Sequence, residues 1–172
     1  MTIAILGSNG QIGSAVYSKL SRSFKCKAIN RKILDCSKIK NVETFFKLKN
    51  YSLIINAIAY THVDKAEKEI NLAKILNYKL PESLAKIAKK QDIPFIHYST
   101  DFVFDGNKRK PYTEKDLPNP LNIYGKTKFK GDQSVLKSRC KGAIVRVSWV
   151  YSLTGKNFLN TIYKMIKKNK KI

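Results

Sequence analysis

Residues 3–20, IAILGSNGQIGSAVYSKL, constrain the fold more than any other stretch of the chain. A short apolar run stops at Gly7, the turn that follows carries Gly10 and Gly13, and an amphipathic pattern starts at Gln11. A strand that turns this tightly into a helix sets the helix N-terminus, with its unpaired N–H groups and positive dipole end, beside the strand's carboxyl end. Glycines suit such a turn because it is tight, because the backbone can approach a pyrophosphate closely, and because the helix can pack hard on the strand. The spacing is GxxGxxG rather than GxGxxG, so the strand–turn–helix context carries the reading more than the glycines do. A glycine-rich turn without a ligand is the alternative that these residues leave open.

The same alternation continues down the chain. Short β-branched runs at Ile3–Leu6, Cys26–Ile29, Leu53–Asn56, Phe95–Tyr98 and Ala143–Val147 read as strands. Between them, segments around Gln11–Leu20, Lys38–Lys49, Asp64–Lys90 and Pro120–Lys137 have apolar positions recurring at three and four, as helices do. Alternating strands and helices predict an α/β fold, a Rossmann-like doubly wound parallel sheet, here expected in the order 3-2-1-4-5 with strand five at an open edge. Such an edge invites pairing with another chain, so a homo-oligomer is expected. The Pro-containing loop KRKPYTEKDLPNP, residues 108–120, falls between strand four and the next helix, where it can shape a pocket mouth.

Size and composition narrow the function classes. With 172 residues, 43% of them hydrophobic, the chain is one domain of ordinary size. No run approaches the roughly 18 apolar residues of a membrane span, and MTIAILGSNG lacks the basic start of a signal peptide, so a cytoplasmic protein without a membrane partner is expected. Cys26, Cys36 and Cys140 are odd in number and far apart, which predicts reduced thiols and neither disulfides nor a metal site. The formal net charge of +22 comes from Lys spread over nearly every element, with one dense run, KMIKKNKK, near the C-terminus. That distribution does not single out nucleic acid as a partner; it is compatible with steering anionic small ligands.

Two positions bear on which dinucleotide the turn would take. After the second strand the chain reads AINRKILDCS, so Asn30 stands where an NAD-selective site places an acid, and Arg31 follows it. Arg31 can meet a 2′-phosphate, or it is simply a solvated cation.

Tyr124 and Lys128 are spaced to share a helical face. With nine Tyr and 29 Lys (34 basic residues less five Arg), roughly one or two Tyr-x-x-x-Lys spacings arise by chance. Tyr163 and Lys167 form a second. Spacing alone does not separate the two, although only Tyr124 follows a strand ending in hydroxyls, Ser99 and Thr100. In chemical terms, an ammonium beside a phenol is expected to lower the phenol's pKa.

Four segments in order, GSNGQIGS, LIINAIAYTHVDKAEKE, FIHYSTDFVFDG and PLNIYGKTKFKGD, followed by VRVSWVY and GKNF, resemble the extended short-chain dehydrogenase/reductase superfamily. Within it the chain is similar to the dTDP-4-dehydrorhamnose reductases, over essentially its whole length. The resemblance implies reduction of the 4-keto group of dTDP-4-dehydro-L-rhamnose with NADPH or NADH. It makes Tyr124 the proton donor, Lys128 its partner and a ribose contact, and Thr100 the hydroxyl on the substrate carbonyl. Around the cofactor it implies Gly7, Gly10, Gln11, Ile12 and Gly13, then Arg31, Asp35 and Cys36, then Ala57, Ala59 and Tyr60. Ile58 stands where the family usually has Ala. Asp101 and Trp149 match sugar-nucleotide contacts, a turn carboxylate and a core indole being their plain readings. No metal is implied.

Asp64 and Glu67, three apart, read as a helix N-cap with its capping-box acid. His62 and His97 have no motif partner and read as structural. Family members continue for about 100 residues past the end of this chain, close to a small domain. The expectation is therefore an NAD(P)-binding domain over residues 1–172, ending before the bulk of the substrate-binding domain. Such a chain should bind nucleotide, turn over sugar substrate poorly and tend to associate. A non-catalytic nucleotide-binding or regulatory subunit remains a second reading.

Overall fold

The computed structural model describes residues 1–47, 49–152 and 157–168. Leu48, Gly155 and Lys156 of the GKNF segment, and residues 169–172 at the end of the basic run, lie outside them. Five strands, β1 (Ile3–Leu6), β2 (Cys26–Ile29), β3 (Leu53–Asn56), β4 (Phe95–Thr100) and β5 (Gly142–Val147), form one parallel sheet. Helices α1 (Gln11–Leu20), α2 (Ile39–Lys47), α3 (Val63–Ala66), α4 (Ile70–Lys74), α5 (Leu80–Gln91), α6 (Ile123–Ser138) and α7 (Phe158–Lys167) connect or follow them.

The side-chain alternation of β1 divides the core. Ile3 and Ile5 pack with Val16, Tyr17 and Leu20 of α1 on one face, while Ala4 and Leu6 meet Val42 and Phe46 of α2 and Leu80 and Leu84 of α5 on the other. Phe46 and Leu84 are fully buried, each contributing about 2–3 kcal/mol of transfer free energy. The doubly wound architecture is thus as expected.

The strand order is not. It is β2-β1-β3-β4-β5, which corrects the expected 3-2-1-4-5. The reason lies just after β2, where the Asn30 side chain accepts from the N–H groups of Lys32 and Ile33 at 3.0 and 3.2 Å, and Leu34 N–H donates to the Asn30 carbonyl at 3.0 Å. The KILD run and the Cys36 after it are tied off in turns, burying Leu34 and Cys36 instead of adding a strand outside β2. α2 then carries the chain back across β1, so both neighbours of β1 are in place by residue 56. The order reverses at β1, and the crevice outside β1 and β3 is where a ligand binds in such a sheet.

The helical stretch expected over Asp64–Lys90 is broken twice. α3 ends after one turn, and between α4 and α5 residues Ile75–Lys79 form a π-turn. Pro81 accounts for the second break: it has no N–H to give the Asn77 carbonyl, and its ring crowds that carbonyl.

β5 pairs only with β4 among the described residues and is largely exposed, and α7 buries none of its side chains. No helix among the described residues is long and apolar enough to cross a membrane.

Candidate active site

The crevice at the end of β1 is built by close backbone approach. Gly7 sits at φ +76°, and its N–H donates to the Ile29 carbonyl of β2 at 2.9 Å. A Cβ on Gly13 would lie 2.1 Å from the Gly7 carbonyl oxygen, so α1 presses on the turn in a way only glycine permits. The N-cap of α1 is Gly10, with no side-chain capping bond and no acidic residue in the first turn. Its N–H groups and dipole are therefore offered to an anion.

Two clefts meet there. One, of about 270 Å³, is lined by Gly7, Gly10, Arg31, Asp35 and Cys36 among others. The second, of about 500 Å³, holds Gln11, Ile12, Ala57, Ala59, Thr100, Asp101, Tyr124, Lys128 and Trp149. Gly10 and Ile58 line both. Residues far apart in sequence are thus brought to two neighbouring clefts that share a wall at the start of α1. Gln11 Nε2–H donates to the Val150 carbonyl at 2.9 Å, joining the start of α1 to the loop after β5.

In the smaller cleft Asp35 is already engaged, accepting from Ser37 N–H and Oγ–H at 3.1 and 2.7 Å, and these bonds hold its carboxyl below its usual range. Burial pushes the Cys36 thiol up to about 12, so it stays protonated. All three cysteines are free. Arg31 is open to solvent with its Nε 4.0 Å from Asp35.

In the larger cleft, Asn122 caps α6 by accepting from Gly125 N–H at 2.8 Å, which starts the helix one residue before Tyr124. Tyr124 is buried edge-to-face against Phe102. Burial raises its phenol above the ordinary value, the nearby Thr100 hydroxyl opposing and Asp101 and Asp132 adding to the rise. This overturns the expected lowering by Lys128. The Lys128 side chain is fully buried and its Nζ donates to the Tyr98 carbonyl at 2.7 Å. Burial also lowers Lys128 to about 8, with Asp132 opposing. An unfolded lysine holds its proton to about pH 10.4. Between these values the unfolded chain binds the extra proton, so this group's cost to stability is full below pH 8 and fades as pH rises.

Thr100 has little freedom. Its hydroxyl accepts from Phe102 N–H at 3.2 Å and donates to Asp101 Oδ1 at 3.1 Å, while Asp101 Oδ2 accepts from Ser148 Oγ–H at 2.6 Å. Asp101 therefore clamps the ends of β4 and β5 together.

Other expected site residues lie differently. Tyr60 turns its ring out of the groove and donates its hydroxyl to Glu69 at 2.9 Å. Trp149 is no core indole: it is 76% exposed at φ +48°, edge-on to Phe158. Tyr163 is exposed on α7 with Lys167 over its ring and lines neither cleft. The capping box is absent too, since His62 is the N-cap of α3. Glu67 instead accepts from Ile123 N–H at 2.8 Å, satisfying the first turn of α6 from outside.

Asn77 is the residue that sequence reasoning missed. It is fully buried in the π-turn, accepts from Tyr60 N–H at 2.8 Å, and donates to the Tyr60 carbonyl and Thr127 Oγ1 at 3.2 and 3.1 Å. One amide thus joins the loop after β3 to α6 between Tyr124 and Lys128. Asn77→Ala leaves these partners unpaired and is expected to cost about 3 kcal/mol. An unfolding free energy from denaturant titration that falls by that amount at unchanged m-value checks this, and a loss under about 1 kcal/mol contradicts it.

The sequence model of the RmlD substrate binding domain matches residues 1–172. A dTDP-4-dehydrorhamnose reductase of Shigella flexneri is 37% identical across 100% of this chain and 59% of its own length. A crystal structure of such a reductase from Clostridium acetobutylicum superposes with TM-score 0.93 at 36% identity, covering 98% of this chain and 60% of the other. A Bacillus anthracis dTDP-4-dehydrorhamnose reductase, solved in complex with NADP, gives 0.92 at 34% identity, over 97% and 60%. The chain thus spans about three fifths of the length of these relatives.

Proposed function

The chain belongs to the RmlD substrate binding domain family, and from that premise we propose that residues 1–172 form an NAD(P)-binding Rossmann-like domain of a dTDP-4-dehydrorhamnose reductase. Its reaction is reduction of the 4-keto group of dTDP-4-dehydro-L-rhamnose to dTDP-L-rhamnose, a step in nucleotide-sugar supply for polysaccharide. The observation that carries this reading is the groove joining the uncapped N-terminus of α1 to Tyr124 and Lys128.

The residues present fit a nicotinamide dinucleotide. The close packing of Gly13 on Gly7, and a first turn of α1 with neither a side-chain cap nor an acid, suit a pyrophosphate at Gly10–Gly13. Arg31, Asp35 and Cys36 would border the adenosine half, and Ala57, Ala59, Tyr124 and Lys128 the other. When bound, the reduced nicotinamide supplies the hydride.

The protein's own part is proton transfer. A phenol held above its ordinary pKa by burial keeps its proton at neutral pH, so Tyr124 can donate it to the ketone oxygen as charge develops there. Lys128, charged below pH 8, stabilises the phenolate that remains. Thr100 can hold the ketone oxygen only by releasing Asp101, because it has one proton to give. Asp101 and Trp149 would then border the sugar nucleotide. The reduced cysteines and the diffusible substrate suit the cytoplasm, the exposed β5 edge suits a homo-oligomer, and nucleic acid is not the expected partner.

Titration with NADPH and NADH, followed by turnover with the 4-keto sugar nucleotide, tests the reading. Nucleotide binding supports the NAD(P)-binding domain, turnover, even slow, favours the reductase over a non-catalytic subunit, and a folded chain that binds neither nucleotide refutes the reading. Cofactor choice has its own expected outcome. Arg31→Asp, placing an acid near a 2′-phosphate, should shift the NADPH-to-NADH affinity ratio towards NADH by at least about tenfold. A parent protein that already prefers NADH strongly would remove Arg31 from the site.

A further inference from the structure

Behind Tyr124 and Lys128 lies a second set of polar side chains that the proposed reaction leaves unused. Asp132 follows Lys128 by one helical turn on α6, and the two are 0% and 1% exposed. Asp132 is the one carboxylate buried to this degree among the described residues. From β5, Arg146 Nε–H donates to its Oδ2 at 3.3 Å. From β4, His97 Nε2 stands 3.9 Å from its Oδ1, and the Ser99 hydroxyl lies near enough to the carboxyl to draw its pKa down against the rise that burial causes.

The hydrogen bonds around His97 fix which way it faces. Ile58 N–H donates to Asn56 Oδ1 at 3.1 Å, which leaves the Asn56 NH₂ to meet His97 Nδ1 at 3.1 Å. Nδ1 is then the acceptor and the ring proton sits on Nε2, on the side of Asp132. Burial and the Lys128 charge hold His97 well below its usual range, so it is neutral. Among the described residues, His97 Nε2, Ser99 Oγ and Asp132 Oδ1 have no hydrogen-bond partner, although all three residues are buried. The charged and titratable groups around Lys128 are thus Asp132 on its own helix, Arg146 from β5, neutral His97 from β4 and Tyr124.

We propose that Asp132 is a positioning residue for Lys128: its carboxylate, held by Arg146 and flanked by the Asn56–His97 pair, is the counter-ion that keeps the Lys128 ammonium charged one turn beyond Tyr124. The physical reason is desolvation. An ammonium out of water costs several kcal/mol unless an opposite charge is near, and the Tyr98 carbonyl, its direct partner, supplies only a dipole. The inference rests on the proposed function only for its bearing on turnover, because coupling between the two charges can be read in the protein without substrate or cofactor.

The test is an NMR titration of lysine side chains, with the Lys128 resonance assigned by its loss in Lys128→Met. Asp132→Asn should lower the Lys128 midpoint by about one pH unit or more, the effect of removing a nearby opposite charge. Asp132→Glu, which keeps the charge, should bring it back towards the parent value. In the reciprocal arm, Lys128→Met should raise the Asp132 carboxyl midpoint, because coupling between two sites is shared by both. A Lys128 midpoint unmoved in Asp132→Asn overturns the proposal, as does an Asp132→Glu midpoint no nearer the parent's. If Asp132→Asn does not fold, an Asp132 midpoint unmoved in Lys128→Met overturns it instead. A failed reductase assay alongside these shifts would sink the function and leave the charge coupling standing.

Discussion

Tyr124→Phe is expected to slow reduction of the 4-keto sugar nucleotide by about 10²–10⁴-fold, the range for losing a positioned acid, with nucleotide binding unchanged. The substitution keeps the ring that packs against Phe102, so the fold has no reason to move. Two neighbouring hydroxyls are already engaged. Tyr60 is committed to Glu69, and Thr100 shares its one proton with Asp101. Tyr163→Phe is the matched control: its spacing to Lys167 copies the pair, but its place on exposed α7 does not. Single-turnover rates of the two variants decide the matter. Equal rates for Tyr124→Phe and the parent would remove Tyr124 from the chemistry, and a large loss in Tyr163→Phe would mean that the wrong pair has been chosen.

Gly13→Ala is expected to weaken NADPH and NADH binding together by at least about tenfold, and to cost about 1–3 kcal/mol in stability, the usual range for overpacking. The added Cβ would meet the Gly7 carbonyl oxygen at 2.1 Å and its carbon at 2.6 Å, and both are backbone atoms that cannot swing aside. Either α1 backs away or the Gly7 turn opens, and each movement carries the helix N-terminus off the place a pyrophosphate would take. Affinity by fluorescence titration and thermal melting of the same sample separate the two effects. A folded Gly13→Ala protein that binds both nucleotides as the parent does would show that the turn is structural only.

What the sequence made legible was local. The β-branched runs at Ile3–Leu6, Cys26–Ile29 and Leu53–Asn56 are strands to the residue, because a buried parallel strand is written as a continuous apolar run. Strand order was not legible, since the same strand–helix alternation suits either order. What decides it is the Asn30 turn that uses up the KILD run, a local hydrogen-bond competition that apolar periodicity does not register. The pairing of Tyr124 with Lys128 could be found from their spacing and the strand before them. The state of the phenol could not, because burial outweighs the spacing argument.

Asn77 escaped for a related reason. Its role depends on the π-turn that Pro81 forces and on partners 17 and 50 residues away. Pro81 inside a helical pattern was the available signal. For Asp132 the signal was its position four residues after Lys128 on one helix. Tyr60 and Trp149 carried motif matches, but the direction of a side chain in a loop is set by its tertiary neighbours, here Glu69 and Phe158.

Calorimetric titration of NADPH into the folded chain of residues 1–172 tests the central claim most directly, that the groove from Gly10 to Lys128 is a dinucleotide site. The account predicts saturable binding at one site per chain, weakened in Gly13→Ala and retained in Tyr124→Phe. No heat and no saturation with NADPH or NADH, from protein that melts cooperatively, would contradict it.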